Sequence, residues 1–268
     1  MSKLSMPPRK PAPPAPKRTG VQFSAIEKST NGRRIVIYGT GGIGKTSLAC
    51  SAPGPVAFFD LDNSLSVLQP GGDIRTVSAA SWDEMMLALK SPGWDDINTI
   101  VIDSGTIAEE MCLAWVIENV PHEKGHKVRR IEDYGFAKGY SHIYGVFYNL
   151  LNALEHHSRQ GRNVVVICHE CISLAPNPAG DDYKHYEPRM QNANNGNLRH
   201  RIKEWCDDLL FVNMERVVSE KKDVGSGVRV IYSSEQPFCM AKSRTLKSPM
   251  VYHHGSDELW KLLLEGNN

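Results

Sequence analysis

The sequence lacks long hydrophobic runs. Among its 268 residues no apolar stretch approaches the 18 residues that a membrane-spanning helix needs. The N-terminus also lacks the apolar segment of a secretory signal peptide. We therefore expect a soluble, intracellular protein with no membrane partner.

Cysteine is scarce and scattered. Most of the six cysteines lie inside apolar runs, which is typical of reduced thiols in a core. Cys168 and Cys171 form a CxxC pair, but the second pair that a zinc site of this kind requires is missing, so a metal or redox role is the less favoured interpretation. With 41% hydrophobic residues the chain can bury a full core, and we expect one α/β domain over residues 21–268.

Acidic residues are absent from residues 1–20, "MSKLSMPPRKPAPPAPKRTG", which contain six prolines and five basic residues. This composition predicts a disordered, polyproline-like basic arm. Without the arm, 26 of the 31 basic residues stand against 30 acidic ones, so the remainder is mildly acidic. Nucleic-acid binding would then require local basic patches or the arm, which is otherwise a solubilising tail.

What the sequence does contain is a glycine-rich turn within "RRIVIYGTGGIGKTSLA", residues 33–49. The turn matches G-x-x-x-x-G-K-[ST] directly after a β-branched apolar run, which is the context of a phosphate-binding loop. Glycines let the backbone amides close around an anion, and the following helix points its N-terminus at the same phosphates. We expect the Lys45 ammonium to reach the β- and γ-phosphates and the Thr46 hydroxyl to bind Mg²⁺. The predicted nucleotide-binding residues are Gly39, Thr40, Gly41, Gly42, Ile43, Gly44, Lys45, Thr46 and Ser47.

Beyond this turn, apolar strands alternate with amphipathic helices. The alternation predicts an α/β P-loop NTPase fold, with a mostly parallel sheet flanked by helices. Helices are predicted at residues 81–90, where Ser81 and Glu84 have capping-box spacing, and at residues 139–161. The last two strands follow each other without a helix, so an antiparallel hairpin is expected at the sheet edge. Strands are predicted at residues 55–60, 97–103, 163–169, 208–214, 227–233 and 237–243.

Polar side chains follow several of these strands. Asp103 occupies the usual position of the carboxylate that holds magnesium through water. Asp60 and Asp62 follow the strand after the loop helix, where one of them can polarise the attacking water. His169 stands where a polar side chain can contact the γ-phosphate. Parallel strand ends converge at one edge, which favours a shared site, although helix-capping aspartates and a structural histidine are the alternatives.

This order of motifs resembles the RecA-type recombinase core, and more closely a group of phage-encoded RecA-like ATP-binding proteins implicated in single-strand annealing, over about residues 22–245. The resemblance implies ATP and Mg²⁺ as cofactors. It places Asp62 where the family has its catalytic Glu, and His169 where the family has a γ-phosphate-sensing Gln. Asp62 is one methylene shorter than Glu, so we expect slow hydrolysis.

The same resemblance concerns assembly and location. "AKSRT" falls where the family carries two cations that reach the ATP of the neighbouring subunit, which assigns Lys242 and Arg244 to that role and implies a ring or filament. It also implies a phage protein in the cytoplasm of a bacterial host. Single-stranded DNA is the expected partner, and a single-strand DNA-binding protein is considered as a further one.

DNA binding is expected in two loops, because RecA-like cores use the loop after the magnesium strand and its helix and the loop after the sensor strand. Here these are residues 119–140, with Tyr134, Phe136 and Tyr140, and residues 172–201, which are expected to be mobile. Cations that follow phosphates and rings that stack on bases suit a single strand, although both segments are also compatible with ordinary solvated loops. The predicted DNA-binding cations are Lys124, Lys127, Arg129, Arg130, Arg189, Arg199 and Arg201.

Two other classes of protein remain open at this point. One is an ATP-driven loader or regulatory switch that acts on another protein, with the proline-rich arm as its docking element. The other, less favoured, is a small-molecule kinase, which should carry an arginine-rich lid; the cations of residues 172–201 are sparse for that role.

Overall fold

The structure is a computed structural model that describes residues 30–178, 180–194, 196–215 and 227–265. The predicted arm, residues 1–20, lies outside these ranges. The strands are β1 Arg34–Gly39, β2 Val56–Asp60, β3 Ile74–Thr76, β4 Thr99–Asp103, β5 Asn163–Cys168, β6 Glu170–Ala175, β7 Tyr183–Pro188, β8 Asn192–Ala193, β9 Gly196–Asn197, β10 Asp208–Glu215, β11 Val228–Tyr232 and β12 Met250–Tyr252. The helices are α1 Lys45–Cys50, α2 Leu65–Leu68, α3 Trp82–Lys90, α4 Gly105–Asn119, α5 Lys138–Arg159, α6 Leu198–Trp205 and α7 Glu258–Glu265, with a 3₁₀ turn at Ile131–Tyr134.

Eight strands form the central sheet in the order β12-β11-β10-β1-β5-β4-β2-β3. The six strands from β10 to β3 pair in parallel, whereas β11 runs antiparallel to both β10 and β12. The predicted mostly parallel sheet with an antiparallel edge is therefore confirmed. Because the strands are parallel, the ends of β1, β2, β4 and β5 meet at one edge of the sheet.

Both faces of the sheet are covered. In β1, Ile35 and Ile37 pack with α1 and α7, whereas Val36 and Tyr38 pack with α3, α4, α5 and α6 on the opposite face. All four side chains are fully buried, which explains why the strand is a continuous apolar run rather than an alternating one. Burying each large apolar side chain contributes about 1.5–3 kcal/mol, so these strand residues stabilise the fold from both faces of the sheet.

The predicted edge hairpin uses different partners from those expected. Residues 237–243 do not form a strand; their pairing is limited to isolated bridges such as Lys242 with Leu209. β11 pairs instead with β12. This strand has only three residues, so the sequence pattern does not distinguish it from a loop. The prediction of a strand at residues 237–243 is therefore wrong.

The second predicted DNA loop, residues 172–201, is also more ordered than expected. It contains most of the β6–β7 hairpin, the short β8–β9 pair and the start of α6. In the hairpin, alternate side chains point to opposite faces, and Ser173 and His185 lie on the covered face while Ile172 and Leu174 are exposed. This alternation is typical of two strands, which the polar composition of residues 172–201 did not predict.

A buried ion pair joins the starts of β1 and β10. The Arg33 guanidinium donates to Asp208 Oδ2 from Nε and Nη2, at 2.9 and 2.7 Å, and Nη2 also donates to the Thr245 hydroxyl. Ser243 Oγ donates to the other carboxylate oxygen of Asp208. The pair therefore aligns β1 with β10 at the end of the sheet opposite the glycine-rich turn.

Within the described residues, the helices are all too short or too polar to cross a lipid bilayer.

Candidate nucleotide-binding site

The glycine-rich turn connects β1 to α1 and has the shape of an anion-binding loop. Gly44, the residue before α1, has a φ of 101°, a left-handed value that side chains with a Cβ rarely adopt. At Gly39, a Cβ would lie 2.2 Å from the carbonyl oxygen of Val212 on β10. The motif has three fixed positions before the Thr. Gly39 and Gly44 are required by the conformation and packing of the backbone, and Lys45 is required for its charge.

Lys45 is nearly buried beneath the loop. Its ammonium donates to the carbonyl oxygens of Gly39 and Thr40 at 2.7 and 2.9 Å. Burial lowers the pKa of this ammonium, and the nearby Asp103 carboxylate opposes that shift. A phosphate that enters the loop would replace the two carbonyls as the partner of this cation.

Thr46 and Asp103, the two residues predicted to hold Mg²⁺, are in direct contact. The Thr46 hydroxyl donates to Asp103 Oδ2 at 2.7 Å, and the Ser64 hydroxyl donates to the same oxygen at 3.2 Å. Burial raises the pKa of Asp103, and these two hydrogen bonds oppose the rise. A hydroxyl beside a carboxylate is an all-oxygen donor set, which fits Mg²⁺.

Asp62 lies next to this pair because the backbone after β2 turns towards β4. The amides of Leu61 and Asp62 both donate to the carbonyl oxygen of Asp103, at 2.6 and 3.2 Å. Asp62 Oδ2 lies 3.2 Å from His169 Nε2, and Asp62 Oδ1 accepts from the Ser104 hydroxyl at 3.3 Å. The structure thus brings together Asp62, Asp103 and His169 from three strand ends, as the sequence predicted.

The neighbouring carboxylate, Asp60, has a different environment. Its Oδ1 accepts from the amide and hydroxyl of Ser64, and its Oδ2 accepts from the amide of Leu65. These bonds satisfy the first turn of α2, so Asp60 acts as a helix cap. The geometry therefore favours Asp62 as the group that orients water.

Two further residues contact the site and were not identified from the sequence. Ser104 caps α4 by accepting from the Ile107 amide while its hydroxyl reaches Asp62, and its position directly after Asp103 was an available signal. Tyr252 of β12 packs against Gly44, with its ring 3.3 Å from a Cβ built there. Nothing local marks Tyr252, because it reaches the loop only through the sheet order.

Lys242 and Arg244 lie at the end of the sheet opposite the loop. Lys242 bridges Leu209 near the start of β10, and its ammonium lies 3.5 Å from the Glu204 carbonyl oxygen. Arg244 Nε lies 3.5 Å from Asp207 Oδ1. The structure does not bring these cations to the site of their own subunit, so their predicted role requires a second subunit.

The cations of residues 119–140 are on the surface. Lys124, Lys127, Arg129 and Arg130 are all exposed, in the segment between α4 and α5. Among the described residues, Lys124, Lys127 and Arg129 form no ion pair, and Arg130 Nε is 4.0 Å from Asp133. This segment therefore offers the exposed basic surface that the sequence predicted.

The cations of the second segment differ from one another. Arg189 is exposed and lies 3.8 Å from Glu110, whereas Arg201 lies over the Tyr148 ring at 4.6 Å. Arg199 is only 7% exposed: its guanidinium binds Glu187, the Ser173 hydroxyl and the Met190 carbonyl. A guanidinium held in this way anchors α6 to the β6–β7 hairpin, so the prediction that Arg199 contacts DNA is corrected.

The CxxC pair is integrated into the core. Cys168 is fully buried, its Sγ lies 3.7 Å from the Met190 sulfur, and burial raises the pKa of its thiol. Cys171 Sγ donates to the Glu187 carbonyl at 3.6 Å. Among the described residues, no group of three or more His, Cys, Asp or Glu side chains is placed to hold a metal ion.

Comparison with known families gives one match. A family model described as an AAA domain matches residues 31–245, which include the loop, the strand-end carboxylates and both predicted DNA segments. A search of curated proteins gave no match.

Proposed function

The chain belongs to this AAA domain family of P-loop ATPases, and from that premise we propose that it hydrolyses ATP to control its binding to single-stranded DNA, as a recombination protein of phage origin. The observation that carries the proposal is the cluster at the strand ends, where Asp62 contacts His169 at 3.2 Å beside the Thr46–Asp103 pair. Binding, hydrolysis and sensing groups thus occupy one edge of the sheet.

The arrangement supports hydrolysis by an activated water. Lys45 and the loop amides bind the phosphates. Thr46 and Asp103 would hold Mg²⁺, whose positive charge would stabilise the negative phosphate oxygens. Asp62 accepts the proton of the water whose oxygen attacks the γ-phosphorus, as the bond to the bridging β–γ oxygen breaks. A cavity of about 640 Å³ beside Thr40–Ile43 and Tyr186 offers space for the nucleoside.

His169 connects the site to the proposed DNA surface. Its peptide leads directly into β6, and its carbonyl accepts from the Arg189 amide at 2.8 Å after β7. Its own amide lies 3.1 Å from the Thr106 hydroxyl on α4. Loss of the γ-phosphate that His169 contacts would therefore be transmitted to the hairpin and to Arg189.

The site also favours an oligomer. Among the described residues, no arginine side chain is hydrogen-bonded or ion-paired to the side chain of Asp62, Asp103 or His169. Negative charge grows on the phosphate oxygens in the transition state. A cation from the adjacent subunit would stabilise that charge. Lys242 and Arg244 are the proposed donors, since a head-to-tail contact would place the opposite end of one sheet against the loop of the next.

One observation favours the second candidate, an ATP-driven loader that acts on a protein. Ile172 and Leu174 are exposed on the outer face of the β6–β7 hairpin, where an apolar partner surface would cover them. The kinase alternative loses support, because Arg199 and Glu187 anchor residues 172–201 and the segment does not form a free arginine-rich lid.

The experiment that distinguishes these functions is an ATPase assay with and without oligothymidylate. Stimulation by the single strand supports the recombination protein, whereas unchanged basal turnover supports the loader. Absence of any turnover in a folded protein that binds ATP would reject both. Asp62→Asn serves as the inactive control in each arm.

A further inference from the structure

The segment before α5 presents one aromatic ring to solvent. Phe136 is 94% exposed, the highest exposure among the large hydrophobic side chains of the described residues. The other two aromatic residues expected to stack on DNA are different: Tyr134 is buried and Tyr140 is partly covered. Of the three aromatic residues expected to stack on DNA bases, Phe136 is therefore the one with an almost fully exposed ring.

The backbone that carries this ring is unusual. Phe136 has a φ of 47°, and Ala137 follows with a φ of 58°, so two residues with side chains adopt the left-handed conformation in succession. Such conformations cost about 1 kcal/mol or more each and persist where the surroundings impose them. The exposed phenyl ring does not offset this cost by burial, so the packing of the flanking residues must impose the turn.

The base of the turn is held firmly. The Tyr134 hydroxyl donates to the carbonyls of Val116 and Val120 at 2.9 and 2.6 Å, which ties the 3₁₀ turn to α4. At Gly139, a Cβ would lie 2.4 Å from the Ile131 carbonyl oxygen, so the first turn of α5 packs closely on the same element. Phe136 is therefore presented from a fixed platform, and binding would require little further ordering.

An acid of the same segment holds the backbone that carries two of its cations. The Asp133 carboxylate accepts from the backbone amides of Arg129 and Arg130 at 2.8 and 3.0 Å. The Arg130 side chain is left 77% exposed, and that of Arg129 is also exposed. The carboxylate of Glu123 is paired with Lys138. Residues 119–140 contain five basic residues against three acidic ones, so the net charge of the segment is positive.

We infer that Phe136 is the residue on which this protein stacks a nucleobase of a single nucleic-acid strand, with Arg129 and Arg130 contacting the flanking phosphates. The inference rests on the proposed function and names the part of the surface that carries it. An exposed ring in the same segment as exposed cations fits this partner, because every base has an aromatic face and every nucleotide a negative charge. If Phe136 docked on another protein, we would instead expect further apolar side chains around the ring, as in the core of a protein–protein interface.

The test uses the salt dependence of DNA affinity to separate the contribution of base stacking from that of charge. Affinity of the full chain for a fluorescein-labelled oligothymidylate is measured by anisotropy at several salt concentrations. Phe136→Ala should weaken binding about 10-fold at every concentration, because stacking releases no counterions. Phe136→Trp should restore affinity, and Phe136→Leu should not. Leu87→Ala, which removes an exposed side chain from α3, is the matched control.

A strand without bases gives the second readout. On an abasic oligonucleotide, the wild type and Phe136→Ala should bind equally, since no base remains to stack. Equal affinity of the two proteins for oligothymidylate would overturn the inference while leaving DNA binding intact. Failure of the wild type to bind any single strand would overturn the proposed function as well. A change in sedimentation of Phe136→Ala without a change in DNA affinity would assign the ring to a contact between copies and reject stacking.

Discussion

Asp62 and His169 follow two strands that are not neighbours in the sheet, yet Asp62 Oδ2 lies 3.2 Å from His169 Nε2. β4, whose Asp103 carbonyl holds the Asp62 amide, lies between the two strands. The proposed water-activating group and the proposed γ-phosphate sensor are therefore in direct contact. In the proposed mechanism, Asp62 exchanges this contact for one with water when ATP binds.

Asp62→Asn should leave ATP binding nearly unchanged and slow hydrolysis by about 10²-fold, the usual effect of removing a positioned general base. Asp60→Asn, the matched control two residues away, should retain near-normal turnover because Asp60 serves α2. Single-turnover phosphate release measures both. A turnover defect confined to Asp60→Asn would show that the assignment of the base is wrong.

Lys45→Ala should abolish ATP binding, because it removes the buried cation that now bonds Gly39 and Thr40. Titration with a fluorescent ATP analogue measures the loss. Lys90→Ala, an exposed lysine at the end of α3, should bind normally. Retained affinity in a folded Lys45→Ala protein would contradict the site.

Arg129→Gln and Arg130→Gln should each reduce the slope of log affinity for oligothymidylate against log salt by about one unit, since each removes one phosphate contact. Arg199→Gln should instead destabilise the fold, because Arg199 is buried against Glu187. An unchanged slope in the first two variants would transfer the contacts to Arg189, Arg201 or the arm, and deletion of residues 1–18 would identify the arm.

The assembly proposal predicts complementation between two defective subunits. Asp62→Asn has intact cations, and Lys242→Ala/Arg244→Ala has an intact base, so a mixture should recover part of the ATPase activity that each lacks. Light scattering confirms that the two proteins assemble together. Mixed assemblies without recovery would mean that the cations do not serve a neighbouring site.

Glu109 predicts a pH dependence of stability. Burial raises the pKa of this carboxyl to about 7, although both its oxygens accept from the Gln191 amide. An unfolded Glu ionises near pH 4.3, so between about pH 4.3 and 7 the folded state binds more protons and its stability falls as pH rises. The loss amounts to about 4 kcal/mol in total and is complete above pH 7.

Glu109→Gln removes this dependence. Relative to the wild type, its free energy of unfolding in urea should increase from pH 5 to pH 7 and then remain constant. A difference that does not vary with pH would show that Glu109 ionises normally in the folded protein.

The sequence predicted the parts of this structure that depend on local pattern. The glycine turn after β1, the buried strands and the Ser81 cap of α3 follow from residue type and spacing, and the Ser81 hydroxyl does accept from the Glu84 amide. The convergence of Asp62, Asp103 and His169 followed from the rule that parallel strand ends share an edge. Each of these predictions used information within a few residues or one topological rule.

The remainder depended on contacts between distant residues. Residues 237–243 have the composition of a strand, but their backbone bridges β10 only at Lys242 and β7 only at Cys239. Arg199 looks like a surface cation in a polar segment, and only the fold places Glu187 beside it. Tyr252 reaches Gly44 across the sheet without any local mark.

The Arg33–Asp208 pair lies at the far end of β1 from the glycine turn, a distance of about 20 Å along the strand. Because it aligns β1 with β10, it also determines that Gly39 meets Val212 at the other end. Removing one partner would leave a buried charge and disturb that alignment. A genetic screen for loss of nucleotide binding would therefore recover substitutions at Arg33 and Asp208, two positions that no ligand touches.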